Sequence, residues 1–281
     1  MSGTADEPYK LVSELYAHDG PVRSISIGPN GEIMTGCQSD APSMRRWALV
    51  REGLQGPEFT EVGAAVQHNH WVTALTHLPA NSNNVVVYPE GCLVTGCQDA
   101  TIRIFSPSTG ELMLELEGHK KGVISFSWTS NGHLISGSWD GTAKVWDLAA
   151  GGECILTLPG HENGVNVLGL ENGQIVTTST GENVNDKPAN FYVRFWDPAT
   201  GKQVGGNIKD HEGPIRCIAP LSGIASFVTA SNDGTVRVRT ADSTGGDVLA
   251  VMHHAPSPDG SAPILLHWYA PHSFFPHRAS S

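Results

Sequence analysis

The sequence predicts an all-β fold assembled from a repeated unit, a β-propeller. Three observations carry that expectation. Gly and Pro number 32 and 18 among 281 residues while charged residues are only 16%, a balance that suits short strands joined by tight turns and argues against a helical bundle. One pattern recurs five times along the chain, and such self-similarity marks repeat architectures. Within each unit apolar residues alternate with period two between Gly and Asn turns, with no convincing helical period.

Each unit opens on a His, at His18, His68, His119, His161 and His211, spaced by 50, 51, 42 and 50 residues. Val or Ile follows three or four residues later. A turn such as PNG or SNG comes next, then an apolar-small-apolar strand, an Asp turn, and an alternating strand. That last strand closes on Trp47, Phe105, Trp146, Trp196 or Arg239. The third unit, residues 117–148, is the most complete and resembles the WD40 blade pattern in every element. In it His119, Ser136, Asp140 and Trp146 are expected to form one buried hydrogen-bonded chain: Asp accepts from the imidazole, the imidazole bonds the hydroxyl, and the hydroxyl takes the indole N–H. Each buried polar group is then satisfied. Because the same residues recur, the His, Ser and Asp read as a structural staple and not as a catalytic triad.

The other units keep parts of the set: His18, Thr35, Asp40 and Trp47; His68, Thr95 and Asp99 with Phe105; His161, Thr177 and Trp196 with an expanded turn at 181–190; His211, Thr229 and Asp233 with Arg239. The expected organisation is an N-terminal tail over 1–8, the propeller over 9–254, and a non-repeat, disordered C-terminal tail over 255–281. Five blades are recognisable, and a sixth begins near His253 or His254 after a plausible outer strand, GDVLAVM. The segment YKLVSEL (9–15) is the strand that would close a ring, but its partner blade is missing from the pattern, so an incomplete ring with exposed strand edges is one expectation. His267, His272 and His277 step by five, yet nothing orders them as metal ligands, and neither metal nor cofactor is expected.

Composition narrows the function classes. Seventeen basic against 28 acidic residues give a net charge of −11, which disfavours nucleic acid and anionic membranes. No apolar run reaches the length of a membrane span, and MSGTADEPYK has no apolar signal region. Five Cys without a CxxC, two of them in matching TGCQ strings at 35–38 and 95–98, fit a disulfide-free protein of the cytoplasm, or of cytoplasm and nucleus. No phosphate loop, metal cluster or nucleophile elbow points to an enzyme.

Units two and three carry a closer resemblance. SGSWDGTAKVW (136–146) behind GHKKGV, together with QHNHWV, a long connection ending in the turn of Tyr88, Pro89 and Gly91, and CLVTGCQDATIRIFSP, are similar to blades of the phospholipase A2-activating protein family, which includes its yeast ubiquitin-fusion-degradation counterpart. The resemblance covers roughly residues 9–253. It implies a seven-bladed, non-enzymatic propeller that binds ubiquitin or ubiquitylated proteins and acts in ubiquitin homeostasis and proteasomal catabolism. The family's AAA ATPase is bound through downstream domains that this sequence does not contain.

Interaction propellers bind on their narrow top face, through the residues flanking the Val after each His and the residue before the turn Asp. Here these are Pro21, Arg23 and Ser39; Trp71, Thr73 and Gln98; Gly122, Ile124 and Trp139; Gly164 and Asn166; Pro214, Arg216 and Asn232. Trp beside Arg is hot-spot composition, and an acidic protein suits ubiquitin, whose apolar patch has basic neighbours. One departure stands out: family members carry an acidic residue where this chain has Pro21, with Asp19 two positions earlier. The alternatives are a scaffold for another protein or peptide, and a truncated product without function.

Overall fold

The computed structural model describes residues 14–28, 31–38, 43–53, 56–63, 66–78, 88–181, 190–209, 211–221, 226–241 and 247–253. These form five four-stranded antiparallel sheets and no helix. Blade one comprises β1 (Val22–Ile27), β2 (Ile33–Cys37), β3 (Met44–Gly53) and β4 (Gly56–Glu61). Blade two comprises β5 (Val72–Leu78), β6 (Cys92–Cys97), β7 (Ile102–Phe105) and β8 (Leu112–Leu116). Blade three is β9 (Val123–Trp128), β10 (Leu134–Ser138), β11 (Ala143–Asp147) and β12 (Glu153–Leu158). Blade four is β13 (Val165–Gly169), β14 (Ile175–Ser179), β15 (Tyr192–Trp196) and β16 (Gln203–Lys209). Blade five is β17 (Ile215–Leu221), β18 (Ser226–Ser231), β19 (Thr235–Thr240) and β20 (Val248–His253).

Each sheet is a simple meander in which strands consecutive in the chain pair with one another. The innermost strands β1, β5, β9, β13 and β17 pack against one another in chain order. The core lies between blades. Val94, Ile102 and Ile104 of blade two join Val123, Phe126 and Trp146 of blade three in one buried cluster. Ile135, Ala143 and Val145 of blade three join Val165, Val167 and Trp196 of blade four in another. In blades one to three a glycine in the second strand lets the next inner strand approach: a Cβ on Gly36 would lie 2.7 Å from the Val72 side chain, one on Gly96 2.8 Å from that of Val123, and one on Gly137 2.1 Å from the Val165 carbonyl oxygen, closer than packed atoms come.

The expected outer strand GDVLAVM is β20, the last strand of blade five and paired to β19. Of the two candidate starts of a sixth blade, His253 is the last residue of β20, opposite Thr235 of blade five, while His254, the tails over 1–8 and 255–281, His267, His272 and His277, and all of the closing segment 9–15 except Glu14 and Leu15 lie outside the described residues. So do Ser39, Asp40 and most of the loop at 181–190.

Candidate functional site: the loop face at the inner strands

The histidine networks hold this face in shape. In blade three His119 Nδ1–H donates to Asp140 Oδ2 at 2.9 Å, and Ser136 Oγ lies 2.8 Å from both His119 Nε2 and Trp146 Nε1. Burial pushes the Asp140 carboxyl up, but hydrogen bonds from His119, Thr142 and the Lys120 N–H outweigh it and hold the group below the usual carboxylate range. An ionised Asp140 fixes the tautomer: Nδ1 carries the proton, Nε2 accepts from Ser136, and the hydroxyl accepts from the indole. Blade five repeats this with His211, Asp233 and Thr229, each bond 2.8 Å, while the buried Arg239 stands where Trp146 does.

The other blades depart from the pattern in ways sequence did not show. In blade two the imidazole of His68 bonds Thr95, at 2.9 Å, and Ser43 of blade one, also at 2.9 Å. Asp99 does not complete that network as the pattern expects; it turns to Thr101 and to Arg103, 3.0 Å away. The chemical reason is competition: a guanidinium four residues along the same hairpin is a stronger partner for a carboxylate than a neutral imidazole. In blade four Ser179 takes the place of the acid, 2.7 Å from His161 Nδ1, and Trp196 donates to Thr177 at 2.8 Å. Burial, with Arg103 or Arg194 nearby, lowers His68 to about 4 and His161 to about 3.

Above the networks one backbone clamp is repeated five times. The amide of the residue just beyond each second strand donates to the carbonyl just before the first-strand Val or Ile of the same blade: Gln38 to Pro21, Gln98 to Trp71, Trp139 to Gly122, Thr180 to Gly164 and Asn232 to Pro214, at 2.7–3.0 Å. These residues ring the inner strands. Two of them were not picked out from sequence. Gln38, and not the neighbouring Ser39, holds the blade-one position; the shared TGCQ strings contained that signal, which an extra residue before Trp47 obscured. Thr180 holds the blade-four position, where no turn Asp marks the place.

The clamp sets the side chains of the candidate surface. Arg23 stacks over Trp71, 5.8 Å from the ring centroid, and donates from Nε to Gln38 Oε1 at 2.7 Å. Trp139 is 40% exposed. It lies across two glycines: a Cβ on Gly122 would come within 2.7 Å of its ring and one on Gly164 within 2.9 Å. The half-buried Ile124 touches the same spot, 3.0 Å from the Gly164 position. Arg216 is pinned by Asn232 Oδ1 at 3.3 Å and the Thr180 carbonyl at 3.2 Å. Asn166 and Thr73 point their polar atoms down, Asn166 to the Ile215 carbonyl and Thr73 to those of Gly96 and Val123. Gln98, Asn232, Pro21 and Asp19 are exposed. The surface thus offers two indoles and an isoleucine, two preordered guanidiniums, and amides at the margin. Among the described residues no group of three or more His, Cys, Asp or Glu is placed to hold a metal.

Five meander blades built on His–Ser/Thr networks define a repeat propeller that works by presenting a surface. The family described as WD domain, G-beta repeat matches residues 9–41, 62–106, 110–147 and 202–239, more than half of the chain. The chain belongs to the WD40 repeat family. It is similar to the phospholipase A-2-activating protein of Xenopus laevis, 33% identical over 158 residues that make up 56% of this chain and 18% of that protein. This agrees with the resemblance that units two and three carry. It is also similar to the nuclear distribution protein PAC1 of Gibberella zeae, 34% identical over 46% of this chain and 28% of that protein. With the telomerase protein component 1 of Rattus norvegicus it shares 23% identity over 81% of this chain and 8% of that protein. The chain therefore spans only a small part of the length of each.

Proposed function

We propose that this protein is a non-enzymatic ubiquitin-binding WD40 module, acting in the cytoplasm and nucleus in the turnover of ubiquitylated proteins. The observation that carries the reading is the pair of top-face tryptophans, Trp71 under Arg23 and Trp139 over Gly122 and Gly164. An aromatic anchor held rigid by its neighbours loses little entropy on binding. Ubiquitin's apolar patch with flanking basic groups fits such anchors, and a net charge of −11 speeds encounter with it. Similarity to the Xenopus phospholipase A-2-activating protein supports the choice of ligand, through what the family resemblance implies. The AAA ATPase of that family belongs to other domains and is not proposed as a partner.

The test is affinity measured by calorimetry. Trp139→Ala should weaken ubiquitin binding at least ~30-fold, the effect of losing about 2 kcal/mol at a hot spot. An unchanged affinity would count against this surface. A second reading, a scaffold for a different protein, is favoured by Pro21 in the position where the family has an acid. In that case the tryptophan variants would lose a partner other than ubiquitin from a pull-down.

A further inference from the structure

A cavity of about 230 Å³ opens between blades three and four, at the end of the strands away from the clamped loops. Val145 of β11 and Ile155 of β12 line one side of it, and Pro198 and Ala199 of the β15–β16 turn line the other. Val145 also belongs to the buried cluster that joins the two blades, so the cavity lies on an internal boundary. A β-bulge turns Ile155 toward it. Leu156 pairs with Val145 and Cys154 with Trp146, which leaves Ile155 as the extra residue of β12, and a bulge re-aims the side chain it carries. Ile155 is 38% exposed. The turns of blade four hold the opposite side close: a Cβ on Gly201 would lie 3.1 Å from the Leu156 side chain, and one on Gly173 3.6 Å from Ser130 Oγ. Thr129 Oγ1 accepts from the His133 amide at 2.9 Å and fixes the β9–β10 turn. Ser130 and Asn131 of that turn also line the cavity and are exposed. Among the described residues their side chains have no hydrogen-bond partner.

We propose that this cavity is a second binding site, which takes one aromatic side chain of an extended peptide that carries Lys or Arg on either side of it. Size selects the side chain. Cofactors and drug-sized ligands need roughly 300–1,000 Å³, whereas an apolar cavity of about 150 Å³ already takes benzene, so a single ring with its methylene fits. Charge selects the flanks. The carboxylates nearest along the chain to the lining residues are Asp147, Glu153, Glu171 and Asp197. Asp147 lies 3.9 Å from the His133 imidazole and opposite Glu153 in the pairing of β11 with β12. The cations on the same stretches are fewer. Lys202 follows the β15–β16 turn. Lys144, next to Val145, lies on the other face of the sheet and donates to Thr157 at 2.9 Å. His133 is the titratable group of the lining itself. A cationic peptide is therefore attracted and an acidic one repelled. Ser130 and Asn131 supply hydrogen bonds to the peptide backbone, as the few polar groups of an apolar site do. The site lies at the opposite end of the blades from Trp71 and Trp139 and does not rest on the ubiquitin reading.

Amide shifts of the isotopically labelled full chain, followed during titration with three blocked, glycine-ended peptides, test this. One peptide has phenylalanine between two lysines, one has phenylalanine between two glutamates, and one has alanine between two lysines. The first should shift the amides of 129–133, 153–156 and 199–201 saturably. The other two should bind at least ~5-fold more weakly. Ile155→Lys, which replaces the apolar wall with a cation, should weaken the first peptide at least ~10-fold. Ala199→Lys, at an exposed turn position, should act in the same direction, and its melting temperature should match that of the parent chain. Trp139→Ala should leave the affinity unchanged. No shifts at millimolar peptide overturn the proposal, as do equal shifts from the glutamate or alanine peptide, or shifts that both lysine variants leave intact. Shifts of the same amides on dilution of the protein alone also overturn it, since a second copy would then be the occupant.

Discussion

Ala100 sits in the turn of the second blade at φ 71°, where the third and fifth blades have Gly141 and Gly234 at 82° and 80°. A left-handed conformation costs a residue with a Cβ about 1–2 kcal/mol. Gly regains most of that but adds about 0.4–1 kcal/mol of unfolded-state entropy. Ala100→Gly should thus stabilise the protein by roughly 0.5–1 kcal/mol in a urea titration. The two histidines without an acid set a pH dependence. Burial lowers His68 to about 4 and His161 to about 3, below the ordinary value of 6.5 that the unfolded chain restores. The folded state therefore resists their protonation. Their contribution is intact above pH 6.5 and is lost as pH falls from there through the folded values, at up to about 1.4 kcal/mol per pH unit for each. Melting temperature should drop between pH 6.5 and 4. A flat profile over that range would show that neither imidazole is buried as described. Asp140 and Asp233, both held below the usual carboxylate range, lose their contributions only at lower pH.

At the scale of the element, the blade is a sheet stapled by its own side chains. Ser136→Ala would leave the Trp146 indole N–H and His119 Nε2 without their shared partner in a buried site, a cost of about 2–3 kcal/mol. Gly137→Ala should cost about as much by steric conflict with the Val165 carbonyl, and it would loosen the boundary of blades three and four rather than blade three itself. Amide exchange separates the two, since only the second variant should expose β13 more than β11. The strands were legible in the sequence because their period, turns and closing aromatics repeat. The fifth blade's closing Arg239 was legible for the same reason. The partner of Asp99 was not. A pattern read along one chain places residues in a blade, but it does not weigh Arg103 against His68 for the same carboxylate. Nor could it see that Ser43 reaches across from blade one, since that contact exists only once two blades pack. Thr180 escaped notice because the rule that finds top-face residues leans on a turn Asp that blade four does not have.

At the scale of the whole molecule, five blades present one series of clamped loops, and among the described residues the two end blades keep apolar positions exposed that the inner blades bury. Val22 of β1 is 49% exposed, while its counterparts Val72, Val123, Val165 and Ile215 are fully buried. The proposed binding face does not depend on those ends, because Trp71, Ile124 and Trp139 belong to blades two and three, which are packed on both sides. The most direct measurement follows chemical shifts of isotopically labelled ubiquitin during titration with the full chain and with its Gly122→Ala and Trp139→Ala variants. Shifts should be confined to ubiquitin's apolar patch and should vanish with Trp139→Ala. They should weaken with Gly122→Ala, which displaces the indole without removing it. An absence of shifts from a folded, monodisperse sample would contradict the account, as would shifts that both variants leave unchanged.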